Sequence, residues 1–259
     1  MNYKKQMIPK IIHYCWLSGD PFPDTIQLCL DTWKKHLSGY EIWLWDAKRF
    51  DVNSTIWTKQ AFEAHKYAFA SDYIRLYALY HYGGIYLDSD VFVYKNFDDL
   101  LDLPYFIGHD QIKGFEAAVI GAEKGCPWIK DILDTYRNKT FIQKDGSWDL
   151  LPLPCKFHHI LVNLGYRFYR IHKKVSYKLK DKDMYVFDGD FFNSRNAIEV
   201  RQTKKSYCAH NYANSWQVVQ TKQTIKNCLP KWMIKIIYII GQRTWAKKKY
   251  AWFQIPFEK

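Results

Sequence analysis

Two carboxylates one residue apart, Asp88 and Asp90, interrupt an apolar run that reads Gly83-Gly-Ile-Tyr-Leu-Asp-Ser-Asp-Val-Phe-Val93. On an extended chain alternate side chains share a face, so the two acids aim at one point. Two anions so placed repel each other unless a cation lies between them. A divalent metal with oxygen ligands, Mn²⁺ or Mg²⁺, meets that need and keeps coordination positions for substrate phosphates. An isolated Asp-x-Asp also arises where a strand end turns its acids to water. The surrounding residues decide between the two.

Upstream, residues 61–82 are rich in Ala and Leu, contain no Pro or Gly, and stop at Gly83-Gly84. This pattern predicts a helix over 61–81 with a glycine terminator. Ser71, Asp72 and Arg75 interrupt a segment that is otherwise mostly apolar. Asp72 and Arg75 are three apart and share a helical face. On a surface helix such a pair contributes only a few tenths of a kcal/mol. Flanked by Ala68, Phe69, Ala70, Tyr73, Ile74 and Leu76, it reads instead as charge on a buried helix, which needs a partner or a ligand.

The stretch Tyr67–Val91, YAFASDYIRLYALYHYGGIYLDSDV, closely resembles the signature of glycosyltransferase family 32, the family with an Asp-x-Asp sugar-binding region. More loosely it is similar to the glucosyltransferase domains of large clostridial toxins. Two further segments resemble the family. Ile8-Pro-Lys-Ile-Ile-His-Tyr-Cys-Trp-Leu-Ser-Gly19 is similar to its opening strand, and Trp16 is then expected to stack on the nucleotide base; an ordinary core Trp is the other reading. Ala209-His-Asn-Tyr-Ala-Asn-Ser-Trp216 resembles its His-x-x-x-x-Ser-Trp segment. The resemblance implies a single Rossmann-like GT-A domain of α/β class with a mostly parallel sheet. It also implies retaining transfer from a nucleotide-diphospho-sugar, a UDP-sugar in preference to a GDP-sugar. By the same resemblance Asp90 and Asp88 hold the metal with His210, Asp72 and Arg75 hold the donor sugar, and Ser71, Ser215 and Trp216 belong to the donor site. The sequence departs from the family on the acceptor side: Leu151-Pro-Leu-Pro-Cys155 replaces a Thr-Gly-Pro, and Glu116 stands where an Asn is common.

The alternation of elements supports the same class. Strands are expected at 9–16, 41–45, 85–88, 91–94, 105–108 and 117–121, helices at about 24–37 and after Pro127, and a helix at 156–164 closing a loop-rich stretch that frames the acceptor. Short strands are expected near 175–178 and 184–187. Such β and α alternation favours a parallel, nucleotide-binding sheet. No Gly-x-Gly-x-x-Gly or Walker pattern occurs, which sets aside a dinucleotide fold or a P-loop. A phosphohydrolase of the haloacid dehalogenase type, whose first Asp is a nucleophile, also fits Ile-Tyr-Leu-Asp-Ser-Asp-Val. That motif normally lies near the N-terminus, and it leaves Asp72 and Arg75 without a purpose.

Of 38 Lys and Arg, twelve fall in residues 201–259, against one acid, Glu258; the first 200 residues are nearly neutral. The expected division is a catalytic domain over 1–228 and a basic amphipathic helical tail over 229–259. In that tail Trp232, Met233, Ile236, Ile237 and Ile240 gather on one side, and Lys247, Lys248 and Lys249 follow among aromatics. That mixture suits anionic lipid headgroups, whereas nucleic-acid binding would leave the paired carboxylates unexplained. The six cysteines are scattered and no N-terminal apolar run is long enough to be cleaved or to span a bilayer. The expectation is therefore a cytoplasmic enzyme, peripheral on the inner face of a bacterial membrane, with a lipid-linked glycan acceptor of capsule, O-antigen or exopolysaccharide assembly.

Overall fold

The computed structural model describes residues 8–110, 114–193, 202–211 and 254–258. In chain order the elements are β1 (Ile11–Cys15), α1 (Asp24–His36), β2 (Glu41–Trp45), α2 (Ile56–Glu63), α3 (Tyr67–Tyr82), β3 (Gly84–Leu87) and β4 (Val91–Val93). There follow β5 (Tyr105–Asp110), β6 (Gly114–Ala122), α4 (Pro127–Asp134), α5 (Leu153–Asn163), β7 (Arg167–Ile171), β8 (Asp183–Phe187), α6 (Gly189–Phe192) and β9 (Cys208–His210). The main sheet has the order β2-β1-β3-β6-β5-β8-β7. β6 runs antiparallel to both neighbours, and every other pairing in the sheet is parallel. This is the α/β architecture with a mostly parallel central sheet that the GT-A resemblance implies.

Hydrophobic burial explains the layering. Every residue of β3 and β6 is buried, as expected of central strands covered on both faces. One core gathers Trp57, Phe69, Ile74, Leu79 and Phe157 from α2, α3 and α5. The other joins Ile26 and Trp33 of α1 to Phe97, Phe106 and Phe192. The sheet lies between these cores, a three-layer solution to burying both of its faces.

Two expected elements differ. The helix expected over 61–81 is two helices, α2 and α3. His65 adopts a left-handed φ of 54°, its N–H donates to Phe62 O, and the Lys66 N–H donates to Ala61 O. That is a Schellman termination with His in the position glycine usually takes, so no glycine marks it in the sequence. The strand expected near 175–178 is absent. β7 lies at 167–171 and pairs in parallel with β8, while the Tyr177 hydroxyl donates to Tyr105 O. The tail expected over 229–259 lies outside the described residues except for 254–258. Those pack against β7, with Glu258 N–H donating to Phe168 O at 2.7 Å, and help cover an otherwise free sheet edge.

The turn that delivers β3 to the site is tightly specified. Gly83 and Gly84 have φ of 68° and 105°, and a Cβ on Gly84 would lie 2.6 Å from Ile11 O. His13 Nε2 donates to Gly83 O at 2.7 Å while its Nδ1 accepts from the Trp45 indole at 3.1 Å. Burial lowers the His13 pKa to about 4, so the neutral tautomer that makes both bonds is the one present at pH 7. Gly84→Ala should therefore cost about 2–3 kcal/mol, read as a lower urea midpoint with an unchanged m-value. An unchanged midpoint would mean that the turn tolerates a side chain.

Candidate active site

β1 and β3 run in parallel side by side, so the loops after Cys15 and Leu87 open at the same end of the sheet, where α/β folds bind ligands. Beyond Leu87 the chain turns: Asp88 N–H donates to Ala118 O and Val91 N–H donates to Asp88 O, both at 2.9 Å. The turn ends in β4, which pairs antiparallel with β9 so that Val91 faces His210. This small second sheet returns His210 to the residue next to Asp90. One ligand atom from each of Asp88, Asp90 and His210 lies within 4.8 Å of the others. His210 Nε2 is 3.3 Å from Asp90 Oδ1, and its Nδ1 is 3.4 Å from Glu116 Oε1. Burial lowers the His210 pKa, but Asp90 and Glu116 outweigh it and the net shift is well upward. Two carboxylates and an imidazole converging on one point make a donor set that fits a divalent ion of the Mn²⁺ or Mg²⁺ kind.

Arg75 ties α3 to this centre. It is 5% exposed, and its Nη2 lies 3.1 Å from Asp88 Oδ1 and 3.4 Å from Asp72 Oδ1. Nη1 donates to Ala117 O at 2.8 Å, and the guanidinium lies over the Tyr86 ring, 4.6 Å from its centroid. Ser71 Oγ accepts from Nη2 at 3.4 Å and donates to Ala68 O at 2.8 Å. The carbonyl that holds Arg75 is freed by a bulge. Ile107 pairs with Ile120, but the next residue, Gly108, pairs with Glu116. Residues 117–119 thus leave the β5 ladder, which frees Ala117 O for Arg75, while Ala118 O continues the β3 ladder by accepting from Asp88 N–H. Bulges commonly re-aim side chains next to functional sites. Here the bulge directs Glu116, whose Oε1 accepts from Ala118 N–H at 3.0 Å and whose Oε2 accepts from Asn193 Nδ2 at 2.6 Å.

The structure thus brings together Asp72, Arg75, Ser71, Asp88, Asp90 and His210. Trp16 stands half-buried just past β1, its indole N–H on Asp20 O at 2.7 Å and its ring 4.9 Å from Phe22. Ser215 and Trp216 lie outside the described residues. The sequence noted Glu116 only as a departure and did not single out Asn193, which reaches the site from the end of α6. It also passed over Lys156, a buried lysine on α5 whose charge acts on Asp72.

Burial raises the Asp72 pKa to about 6, although Arg75 and Lys156 pull it down. A carboxylic acid with a folded-state pKa above its unfolded value near 3.8 stabilises the fold while protonated. That contribution is complete below the unfolded pKa and is lost as pH rises through 6. Asp72→Asn has no such titration. Its stability relative to the parent chain should climb by about 2 kcal/mol between pH 4 and pH 7.5. Thermal unfolding across that range measures it, and a difference independent of pH would show that Asp72 is not strained by burial.

Residues 23–107 match the family model described as "Glycosyltransferase sugar-binding region containing DXD motif". Inositol phosphoceramide mannosyltransferase 3 of Schizosaccharomyces pombe is 29% identical over 131 residues, 49% of this chain and 36% of its own length. Mannosyl phosphorylinositol ceramide synthase SUR1 of Saccharomyces cerevisiae is 31% identical over 140 residues, 52% of this chain and 36% of its own. The chain therefore spans little more than a third of the length of these curated relatives. Among solved structures, PaToxG glycosyltransferase covers 62% of this chain and 71% of its own at 23% identity, with a TM-score of 0.46. The matched segment contains Asp72, Arg75 and both acids of the Asp88-Ser89-Asp90 strand end, so this part of the chain is similar to the glycosyltransferase sugar-binding region containing the DXD motif.

Proposed function

We propose that the protein is a retaining glycosyltransferase that moves a hexose or N-acetylhexosamine from a nucleotide-diphospho-sugar to a glycan acceptor. The observation that carries this reading is the convergence of Asp88, Asp90 and His210 beside a buried Arg75 that grips both Asp72 and Asp88. Asp90, Asp88 and His210 are the residues that would hold a divalent cation. Bound there, the cation supplies a Lewis acid for the diphosphate leaving group, whose negative charge grows as the bond to the sugar breaks. Asp72 accepts hydrogen bonds from donor-sugar hydroxyls, and Arg75 fixes its direction. Trp16 stacks on the base, and Ser215 and Trp216 contribute from the segment after His210. No side chain is assigned as general base: in retaining transfer the departing phosphate oxygen takes the acceptor proton.

Within this reading Mn²⁺ and a UDP-sugar are the first choices, and the printed names of the two fungal relatives add mannose as a donor sugar to test. Those names also describe acceptors that are lipids, which supports a lipid-linked acceptor, in bacterial surface-polysaccharide assembly or in another membrane pathway. Among the described residues no helix is long and apolar enough to cross a membrane, and attachment to an anionic surface is assigned to the basic tail over 229–259. The family match includes the strand end itself, which favours the transferase over the phosphohydrolase alternative.

A screen of UDP- and GDP-sugars with purified protein and Mn²⁺, reading released nucleoside diphosphate, tests the reading. Asp90→Asn keeps the volume and removes an anionic ligand, so the rate should fall on the order of 10³-fold, about 4 kcal/mol of transition-state stabilisation. EDTA should abolish turnover and added Mn²⁺ should restore it. Full turnover in EDTA, or an Asp90→Asn variant as fast as its parent, would overturn the assignment.

A further inference from the structure

Glu116 is 3% exposed, a buried carboxylate beside the cation site. Ionised, it can only accept hydrogen bonds, and each donor it lacks would be costly in a buried place. Oε1 accepts from Ala118 N–H at 3.0 Å and Oε2 from Asn193 Nδ2 at 2.6 Å. A further contact is with the imidazole: Oε1 lies 3.4 Å from His210 Nδ1.

Three elements from distant parts of the chain set this contact. The bulge places Glu116 of β6 opposite Gly108. α6 lies close against β5, where a Cβ on Gly189 would stand 2.5 Å from His109 O, and so carries Asn193 to the carboxylate. Tyr207 N–H donates to Phe191 O of α6 at 2.7 Å, and β9, which follows, pairs with β4 so that His210 faces Val91. The ring therefore stands between two carboxylates, with Nε2 3.3 Å from Asp90 Oδ1. A nitrogen facing an ionised carboxylate carries a proton unless a cation intervenes, because the carboxylate offers only lone pairs. On the Nε2 side Asp88 and Asp90 converge with the ring, so a cation there can take the Nε2 lone pair. On the Nδ1 side Glu116 is tied to Ala118 and Asn193 and keeps the proton.

We propose that Glu116 is a positioning residue for the cation site: it holds His210 by Nδ1 and turns the Nε2 lone pair toward the ion that Asp88 and Asp90 also hold. This rests on the metal-holding role proposed for those three residues. A histidine that ligates a metal through one ring nitrogen generally gives the other N–H to a carboxylate or carbonyl, which fixes the tautomer and strengthens the ligand. At 3.4 Å the contact is longer than an ideal N–H···O bond, so the carboxylate directs the ring without clamping it. A charge buried for packing alone is a poor device, since an apolar side chain of similar size serves as well or better.

Mn²⁺ binding tests this without turnover, measured by electron paramagnetic resonance of the free ion, with and without UDP. Glu116→Leu removes the acceptor and should weaken binding about tenfold or more. Glu116→Gln keeps an oxygen for the Nδ1 and Ala118 N–H groups and should recover most of the loss. Glu116→Asp keeps the charge but draws the oxygens back from the ring; it should lose as much as Leu, and it serves as the test if the Leu variant does not fold. In a His210→Ala background the loss from Glu116→Leu or Glu116→Asp should shrink to less than about threefold. No loss in the parent chain, or an Asp variant that binds like the parent while Gln binds like Leu, overturns the proposal. An undiminished loss in the His210→Ala background overturns it too, because the carboxylate then acts on the ion directly. A parent chain that binds no Mn²⁺ in either condition sinks the cation site and this role with it. A parent that binds Mn²⁺ no better than His210→Ala removes only the role, and leaves Asp88 and Asp90 as the site.

Discussion

A guanidinium buried among two carboxylates, a strand carbonyl and a tyrosine ring is the interaction on which the site depends. Arg75 joins α3 to the end of β3 through Asp88 and to the β6 bulge through Ala117 O. It opposes the mutual repulsion of Asp72 and Asp88, two acids that burial and proximity would otherwise keep apart or protonate. Burial works against the charge on Arg75, yet its surroundings, Asp88 first among them, together more than offset it. Remove this cation and α3 loses its polar link to the end of β3 and to the β6 bulge.

Around that contact the fold assembles two sets of polar groups with different solvents. Asp88, Asp90 and His210 stand at the open end of the sheet, partly accessible, with Glu116 and Asn193 behind them. Asp72 and Lys156 lie deeper, where burial pushes the acid up and the base down in pKa. Both shifts favour neutral forms, so the charge on each is maintained against its environment, by Arg75 on Asp72 and by Asp149 on Lys156. Sites arranged this way give up stability for a fixed direction of charge.

How much of this the sequence reveals depends on how far apart the partners lie along the chain. The unit from Tyr67 to Val91 is legible because helix, glycine turn and paired acids are contiguous, and its periodicity states its own geometry. His210 is legible only through resemblance, since nothing in residues 208–210 says that they pair with residues 91–93. Glu116 is hidden in a fully buried strand until the bulge turns it. Lys156 sits in an amphipathic pattern where a lysine ordinarily faces water, and only the packing of Trp57 and Phe69 against it shows otherwise. The break at His65 is not legible because the left-handed residue is not a glycine. A strand is suggested near 175–178 because Tyr177, which anchors an irregular segment on Tyr105 and Tyr185, mimics the aromatic content of a strand.

The claim that Arg75 is needed to reconcile Asp72 with Asp88 is tested most directly by urea unfolding of Arg75→Met alone and of Arg75→Met combined with Asp72→Asn and Asp88→Asn. Losing the cation alone leaves two carboxylates without their shared partner, an effect on the order of 3–5 kcal/mol. Neutralising both acids should then return more than half of that loss. A triple variant no more stable than Arg75→Met alone would contradict the account.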